Sequence, residues 1–196
     1  MDSPSNAEER DNNLFWEGLL LQIEEQRVIP IIGPELLTVQ LPGGAVPLYR
    51  WAAKRLAELL GVSIDDLPDN FSLNDIVCRH LGARGDVGDV YIALATIMLG
   101  AEFKVPTALD QLASITDFNL YVTTTFDWLL AEALKAARRG IVPQVISYSP
   151  KKPVDLPAPK ERLLSPTIYQ LFGKVSAAPE YAVSDEDLLE QPRHAQ

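Results

Sequence analysis

Three short stretches carry the residue types that could do chemistry: Gly33-Pro34-Glu35, Thr123-Thr124-Thr125-Phe126-Asp127, and Phe172-Gly173. In the first, an apolar run from Val28 to Ile32 ends in a glycine followed by a proline. Glycine lets the backbone turn sharply and approach a ligand closely, and proline with its pre-set φ suits the first position of a helix. Strand, glycine turn and helix start together aim free N–H groups and a positive dipole end at an anion, so the expected chemistry is phosphate binding. A single glycine is a weaker sign than a three-glycine dinucleotide fingerprint, and the plainer alternative is that Gly33-Pro34 merely ends a core strand. Glu35 in a first helical turn would simply favour the dipole. Asp127 is either a site acid or the cap of the helix that follows it. His80, beside Cys78, reads as a partly buried helix residue, and His194 lies in a polar tail.

The elements that must position these residues can be read from periodicity. Val28–Ile32 has the β-branched character of a short buried strand. Before it, Leu14, Gly18 and Leu21 with Phe15, Leu19 and Ile23 give a helical stripe, and Met1 to Asn13 is expected to be a flexible terminus. After the Pro42-Gly43-Gly44 turn, Leu48, Trp51, Ala52, Arg55, Leu56, Leu59 and Leu60 follow helical spacing, opened by Pro47 and closed by Gly61. Ser72 with Asp75 forms a near capping box for a helix through His80. Asp86 to Leu99 predicts another amphipathic helix, and Thr107 is placed as the cap of a third. Residues 47–115 therefore form a helical block too large for one crossover, read in part as an inserted lobe.

Strand character returns over Phe118 to Thr124, a helix over Phe126 to Gly140, and strands over Val142 to Tyr148 and Ile168 to Phe172. Pro150 to Pro159 is a proline-rich loop carrying Lys151-Lys152, and Ser184 caps a last helical turn through Glu190. This alternation indicates a parallel sheet of the α/β class, whose ligands bind at the carboxyl ends of strands. All three chemically suggestive stretches fall at such ends. Trp16, Trp51 and Trp128 sit on predicted helices among apolar neighbours and are expected to pack in the core or the lobe.

Composition limits the partners. In 196 residues the hydrophobic fraction is 47% and the charged fraction 22%, ordinary for one globular domain with a sizeable core. A net charge of −10 argues against a nucleic-acid surface and against an anionic membrane surface. One cysteine excludes a disulfide within the chain and a four-cysteine zinc site, so no metal is expected. No apolar run of about 18 residues occurs and residues 1–13 are unlike a signal peptide, which makes a cytoplasmic location the default.

The order of Gly33-Pro34 after the first strand, then Val122-Thr-Thr-Thr-Phe-Asp-Trp-Leu-Leu130, then Leu171-Phe-Gly-Lys-Val175, resembles the sirtuin-like domains of bacterial proteins, many of them effectors of antiphage defence. The resemblance covers roughly Val28 to Glu190, and the Thr-Thr-Thr-Phe-Asp segment is its most specific piece. It implies a Rossmann-like parallel sheet with an inserted helical lobe over 14–190, and NAD held by the three motifs. Cofactor contacts would come from Gly33, Pro34, Glu35, Thr123, Thr124 and Gly173. Members of the family carry Gly-Ala-Gly-x-Ser in the loop, Thr-x-Asn-x-Asp at the second motif and Leu-His-Gly at the third. Here Gly33-Pro34-Glu35 replaces the small loop residues, Thr125 stands for the asparagine, and Phe172 stands for the catalytic histidine, while Asp127 is retained. A carboxylate at Glu35 would repel a pyrophosphate, and a benzyl group cannot act as a general base.

The resemblance also implies a further strand and helix beyond residue 190, so the chain, with 191–196 as a tail or the start of a linker, is expected to be the amino-terminal part of a longer protein or a minimal form of the domain. Longer relatives continue into modules such as TIR domains, and self-association is a second route to a partner. Three functions are expected from these features. The first is a degenerate module that binds NAD or ADP-ribose and serves sensing or assembly in a defence protein. The second is an active NAD hydrolase using Asp127 or Glu35. The third is a purely structural interaction domain.

Overall fold

The computed structural model describes residues 6–148 and 154–190. Lys151-Lys152, His194 and the tail from 191 onward lie outside the described residues, as do the first five residues. Four short strands, β1 (Ile31–Ile32), β4 (Leu120–Thr123), β5 (Gln144–Ser147) and β6 (Thr167–Gln170), form one parallel sheet in the order β1-β4-β6-β5. Two more strands, β2 (Thr38–Leu41) and β3 (Gly44–Pro47), make an antiparallel hairpin around Pro42-Gly43. Seven helices complete the described chain: α1 (Asn6–Glu24), α2 (Leu48–Leu60), α3 (Leu73–Gly82), α4 (Val87–Leu99), α5 (Thr107–Ser114), α6 (Leu129–Ala137) and α7 (Asp185–Glu190). The result is a mixed α/β fold with a four-stranded parallel sheet, an arrangement compatible with a Rossmann-like domain.

Register explains how the three suggestive stretches come together. Ile32 pairs with Thr123, and Thr123 pairs with Gln170, so β1, β4 and β6 end level with one another. The next residues of each strand, Gly33, Thr124 and Leu171, emerge side by side at the carboxyl edge. Within these strands, Ile32, Tyr121, Thr123, Ile168 and Gln170 are all buried. A strand covered by packed elements needs no alternation of polarity, and Thr123 and Gln170 can sit in the core because their hydrogen bonds are met.

Local chemistry sets the helix ends. Gly61 adopts φ 65°, ψ 28° and its N–H reaches back to Ala57 and Glu58, so α2 ends in a left-handed cap that favours glycine. Ser72 and Asp75 complete a reciprocal capping box at α3. Asp86 caps α4 by accepting the Gly88 N–H. At α5 the expectation is corrected: Pro106 occupies the cap position, no side chain caps, and Thr107 is the first helical residue. Between β3 and β4 lie four helices, of which α2 packs on α3 and α4, whereas α5 packs beside α6.

Two further expectations change. Strand pairing on the first element covers only Ile31–Ile32 rather than all of Val28–Ile32. Helix α1 begins at Asn6, inside the stretch expected to be a flexible terminus. Its Leu14, Phe15 and Trp16 are 66%, 61% and 53% exposed, so Trp16 does not pack in the core. The reason is geometric: apolar residues at consecutive positions 14, 15 and 16 point in three directions around a helix, and one neighbouring surface cannot cover all three. Trp51 and Trp128 do pack, each against the ring of Phe103 at 5.2 and 6.0 Å.

Candidate functional site

The carboxyl edge of the sheet opens into a cleft of about 480 Å³. Its walls include Pro34 from the β1 end, Thr124 from the β4 end and Phe172 from the β6 end, so the level register does bring the three strand ends to one site. The helical block supplies Tyr49, Arg50 and Phe71, and the opposite wall comes from the segment leading into α7. That segment is fastened by hydrogen bonds to the helices across the cleft. Tyr91 Oη of α4 donates to the Tyr181 carbonyl at 3.0 Å, and the Asp185 N–H donates to Asn74 Oδ1 of α3 at 3.0 Å. Asp187 accepts the Val183 and Ser184 N–H groups, which closes the turn before α7.

The phosphate cradle expected at Gly33 is built differently. Gly33 has φ −100°, ψ 176°, ordinary extended backbone that any residue adopts. A single 3-10 turn, Pro34–Leu36, comes next, and the chain then enters the β2–β3 hairpin. Three residues in a 3-10 turn sum no appreciable macrodipole, so the helix start predicted at Pro34 is replaced by this turn and the positive dipole end is lost with it. The glycine matters for space. A Cβ on Gly33 would lie 2.3 Å from Glu35 Oε2, with Thr124 Oγ1 at 3.8 Å, so the Glu35 carboxylate folds back onto the glycine. That carboxylate takes part in no hydrogen bond or ion pair among the described residues.

Behind the strand ends lies a second cavity of about 200 Å³, and it separates the candidates. Thr123, Thr125 and Asp127 line this smaller space, whereas Thr124 and Phe172 line the cleft. The second motif therefore does not present Thr125 and Asp127 beside Phe172. Asp127 is 6% exposed. Its Oδ1 accepts the Leu129 N–H at 2.9 Å, a capping contact at the entrance to α6, while Oδ2 has no partner at hydrogen-bond distance. Burial raises its pKa, opposed by the Leu129 N–H and by the nearby Thr125 and Tyr49 hydroxyls. Burial likewise, with the Asp127 charge close by, holds the Tyr49 phenol well above its ordinary value.

Hydrogen bonds lock this region. Gln170 Nε2 donates to the Asp127 carbonyl at 2.8 Å, and Ser147 Oγ donates to Gln170 Oε1 at 2.6 Å. Thr123 Oγ1 donates to the Thr125 carbonyl at 3.2 Å, and Thr124 Oγ1 to the Ile32 carbonyl at 3.3 Å. The hydroxyls of Thr123 and Thr124 are thus occupied in tying β4 to its own turn and to β1. Gly173 turns the chain after β6 with φ 85°, and a Cβ there would lie 2.4 Å from the Glu180 carbonyl. It is a required turn residue behind Phe172, and it does not line the cleft.

Sequence reading missed Tyr49, Arg50, Phe71 and Phe126 as cleft residues. The signal was faint: Tyr49 and Arg50 lie at the start of α2 beside its apolar stripe, and Phe126 sits inside a motif read for its polar members. The ring of Phe126 packs at a tilt 4.7 Å from Tyr49 and 4.9 Å from Tyr181, and Tyr49 and Phe126 with Phe172 give the cleft an aromatic floor. Arg50 is the basic side chain of the lining, and it donates to the Asp69 carbonyl. His80, which could have offered an imidazole, packs its ring against Gly85 at the end of α3, away from the cleft lining. No helix among the described residues is long and apolar enough to cross a membrane.

No protein-family model matches this chain, and none of the curated proteins compared with it does.

Proposed function

We propose that this chain is a sirtuin-like module with a degenerate, non-hydrolysing site, which binds an NAD-type nucleotide and serves sensing or assembly within a bacterial defence protein. The observation that carries the reading is the cleft of about 480 Å³ across the carboxyl ends of a parallel sheet, walled by Phe172 where the resemblance expects a histidine. Its size is in the range of small-molecule sites, and its lining has the usual character of one, mostly apolar and aromatic with a few polar groups. A nucleoside ring fits against Tyr49, Phe126 and Phe172, and Arg50 supplies a cation at the rim.

Hydrolysis of a nicotinamide–ribose bond needs a group that activates water, and Phe172 carries no proton-accepting atom. The loss of the asparagine equivalent at Thr125 acts in the same direction, since its hydroxyl is shorter and Thr125 lines the smaller cavity. Further domains of a longer chain, TIR modules among them, or a second copy of this chain would read out the bound state. Thermal melting with millimolar NAD and with adenosine, alongside an assay for released nicotinamide, tests the proposal. Both ligands should raise the melting temperature, because a ligand that binds only the folded state stabilises it, and no nicotinamide should appear.

One observation favours a second reading, an active NAD hydrolase. Asp127 is a buried acid whose pKa is raised by burial and whose Oδ2 has no hydrogen-bond partner, so a carboxyl group able to hold or pass a proton stands in the smaller cavity. Turnover of NAD that Asp127→Ala abolishes would favour it over the first.

A further inference from the structure

We propose that α1 is a self-association surface, which pairs antiparallel with α1 of a second copy of this chain along Leu14, Gly18 and Leu21. The pairing is independent of what the cleft binds and rests on the uncovered faces of this one helix. Between Asn12 and Glu24 only Leu19 and Ile23 are even half-buried. These two stand one turn apart on the same side, and Ile23 packs against the domain core. The rest of the apolar surface is open. Leu14, Phe15 and Trp16 are exposed as described above, and Leu20 and Leu21 are 57% and 56% exposed. Asn13, Glu17 and Glu24 share one polar stripe, and apolar residues hold most of the remaining circumference. A helix apolar over so much of its surface belongs in a packed setting, and its own domain covers one side only.

Three observations select a second copy as the cover. The segments of this chain outside the described residues, 1–5, 149–153 and 191–196, hold no Leu, Ile, Val or aromatic residue, so none of them supplies an apolar partner. Leu14, Gly18 and Leu21 follow i, i+4, i+7 spacing, the spacing of a helix–helix seam, on a side turned away from Leu19 and Ile23. An antiparallel crossing at Gly18 sets Leu14 of each helix against Leu21 of the other, the self-complementary contact that two-fold symmetry requires. A Cβ added at Gly18 would meet nothing within 4 Å, so the crossing point is open, and a glycine there lets two backbones approach. Phe15 lies one turn from Gly18 and flanks the seam, its ring edge-on to Trp16 at 5.3 Å. The third observation is area. The exposed parts of these five apolar side chains come to roughly 500 Å² in each copy, or about 1,000 Å² over two, the size at which a specific interface begins.

Analytical ultracentrifugation and cysteine cross-linking of the full chain test this. At about 100 μM, well above the micromolar dissociation constant that a small interface supports, the wild type should sediment at twice its 21.6 kDa chain mass. Both seam leucines are exposed, so the double variant Leu14→Glu/Leu21→Glu should keep the circular dichroism spectrum of the wild type. It removes four buried leucines from the paired helices, and association should weaken by about a hundredfold or more, leaving a monomer. Cys78 is an exposed free thiol, so cross-linking uses a Cys78→Ser background. There, Gly18→Cys should form a disulfide-linked dimer on mild oxidation, and Glu24→Cys, on the polar stripe, should not. A wild type that is monomeric at this concentration overturns the pairing and leaves the face to a protein of another sequence. A dimer that the double variant leaves intact, or that Glu24→Cys traps and Gly18→Cys does not, puts the interface elsewhere and overturns it as well.

Discussion

The backbone N–H of Phe126 donates to the hydroxyl of Tyr49 over 2.9 Å, joining the first turn of α2 to the loop that leaves β4. This bond fixes the helical block against the carboxyl edge of the sheet and sets the aromatic floor of the cleft. Tyr49→Phe keeps the ring and removes the acceptor, leaving a part-buried N–H unpaired. The expected cost is about 1–3 kcal/mol in chemical denaturation. Because the cleft floor shifts with it, adenosine affinity should fall in the same variant, which titration calorimetry would read.

Asp127 gives a pH signature of known sign. Its pKa is raised in the folded state by burial, above the ordinary 3.8. The folded protein therefore holds the proton more tightly than the unfolded chain, and the group's contribution to stability is fully present below 3.8 and is lost as pH rises through the folded value. Asp127→Asn keeps an oxygen for the Leu129 N–H and removes the buried charge. It should be more stable than the wild type at pH 7, by on the order of 1 kcal/mol, with the gain vanishing near pH 3. Melting curves of the two proteins from pH 3 to pH 8 check this.

Gly173 is poorly able to accept a side chain. Its φ of 85° disfavours any Cβ, and an added methyl would meet the Glu180 carbonyl and Tyr181 at 2.4–2.8 Å. Backbone atoms there cannot rotate aside. Gly173→Ala should cost more than about 1 kcal/mol and loosen the segment that walls the cleft, seen as faster amide exchange at Ala182, whose N–H donates to the Phe172 carbonyl.

Much of the frame was legible because it rests on local chemistry. The α2 stripe ending at Gly61, the Ser72–Asp75 box and the apolar strands feeding threonine and glycine ends all carry their own signals, and the parallel sheet is implied by their alternation. Tertiary arrangement was not legible. Nothing in Gly33-Pro34-Glu35 announces that three residues later the chain becomes a strand, so a helix N-terminus was expected where a 3-10 turn stands. The chain leaves β4 after Thr123, and the bend that follows puts Thr124 on the cleft while Thr123 and Thr125 line the cavity behind it; a motif read as one string hides that division. Trp16 failed for the opposite reason: helical periodicity identifies the helix but not whether anything lies against it.

The central claim is that the cleft binds an NAD-type ligand and does not cleave it. The most direct measurement is incubation of the purified chain with millimolar NAD, following nicotinamide release while recording the melting temperature with NAD and with adenosine. The expected result is a raised melting temperature with both ligands and nicotinamide no higher than in the protein-free blank. Release of nicotinamide that Asp127→Ala abolishes, or melting temperatures that neither ligand moves, would contradict it.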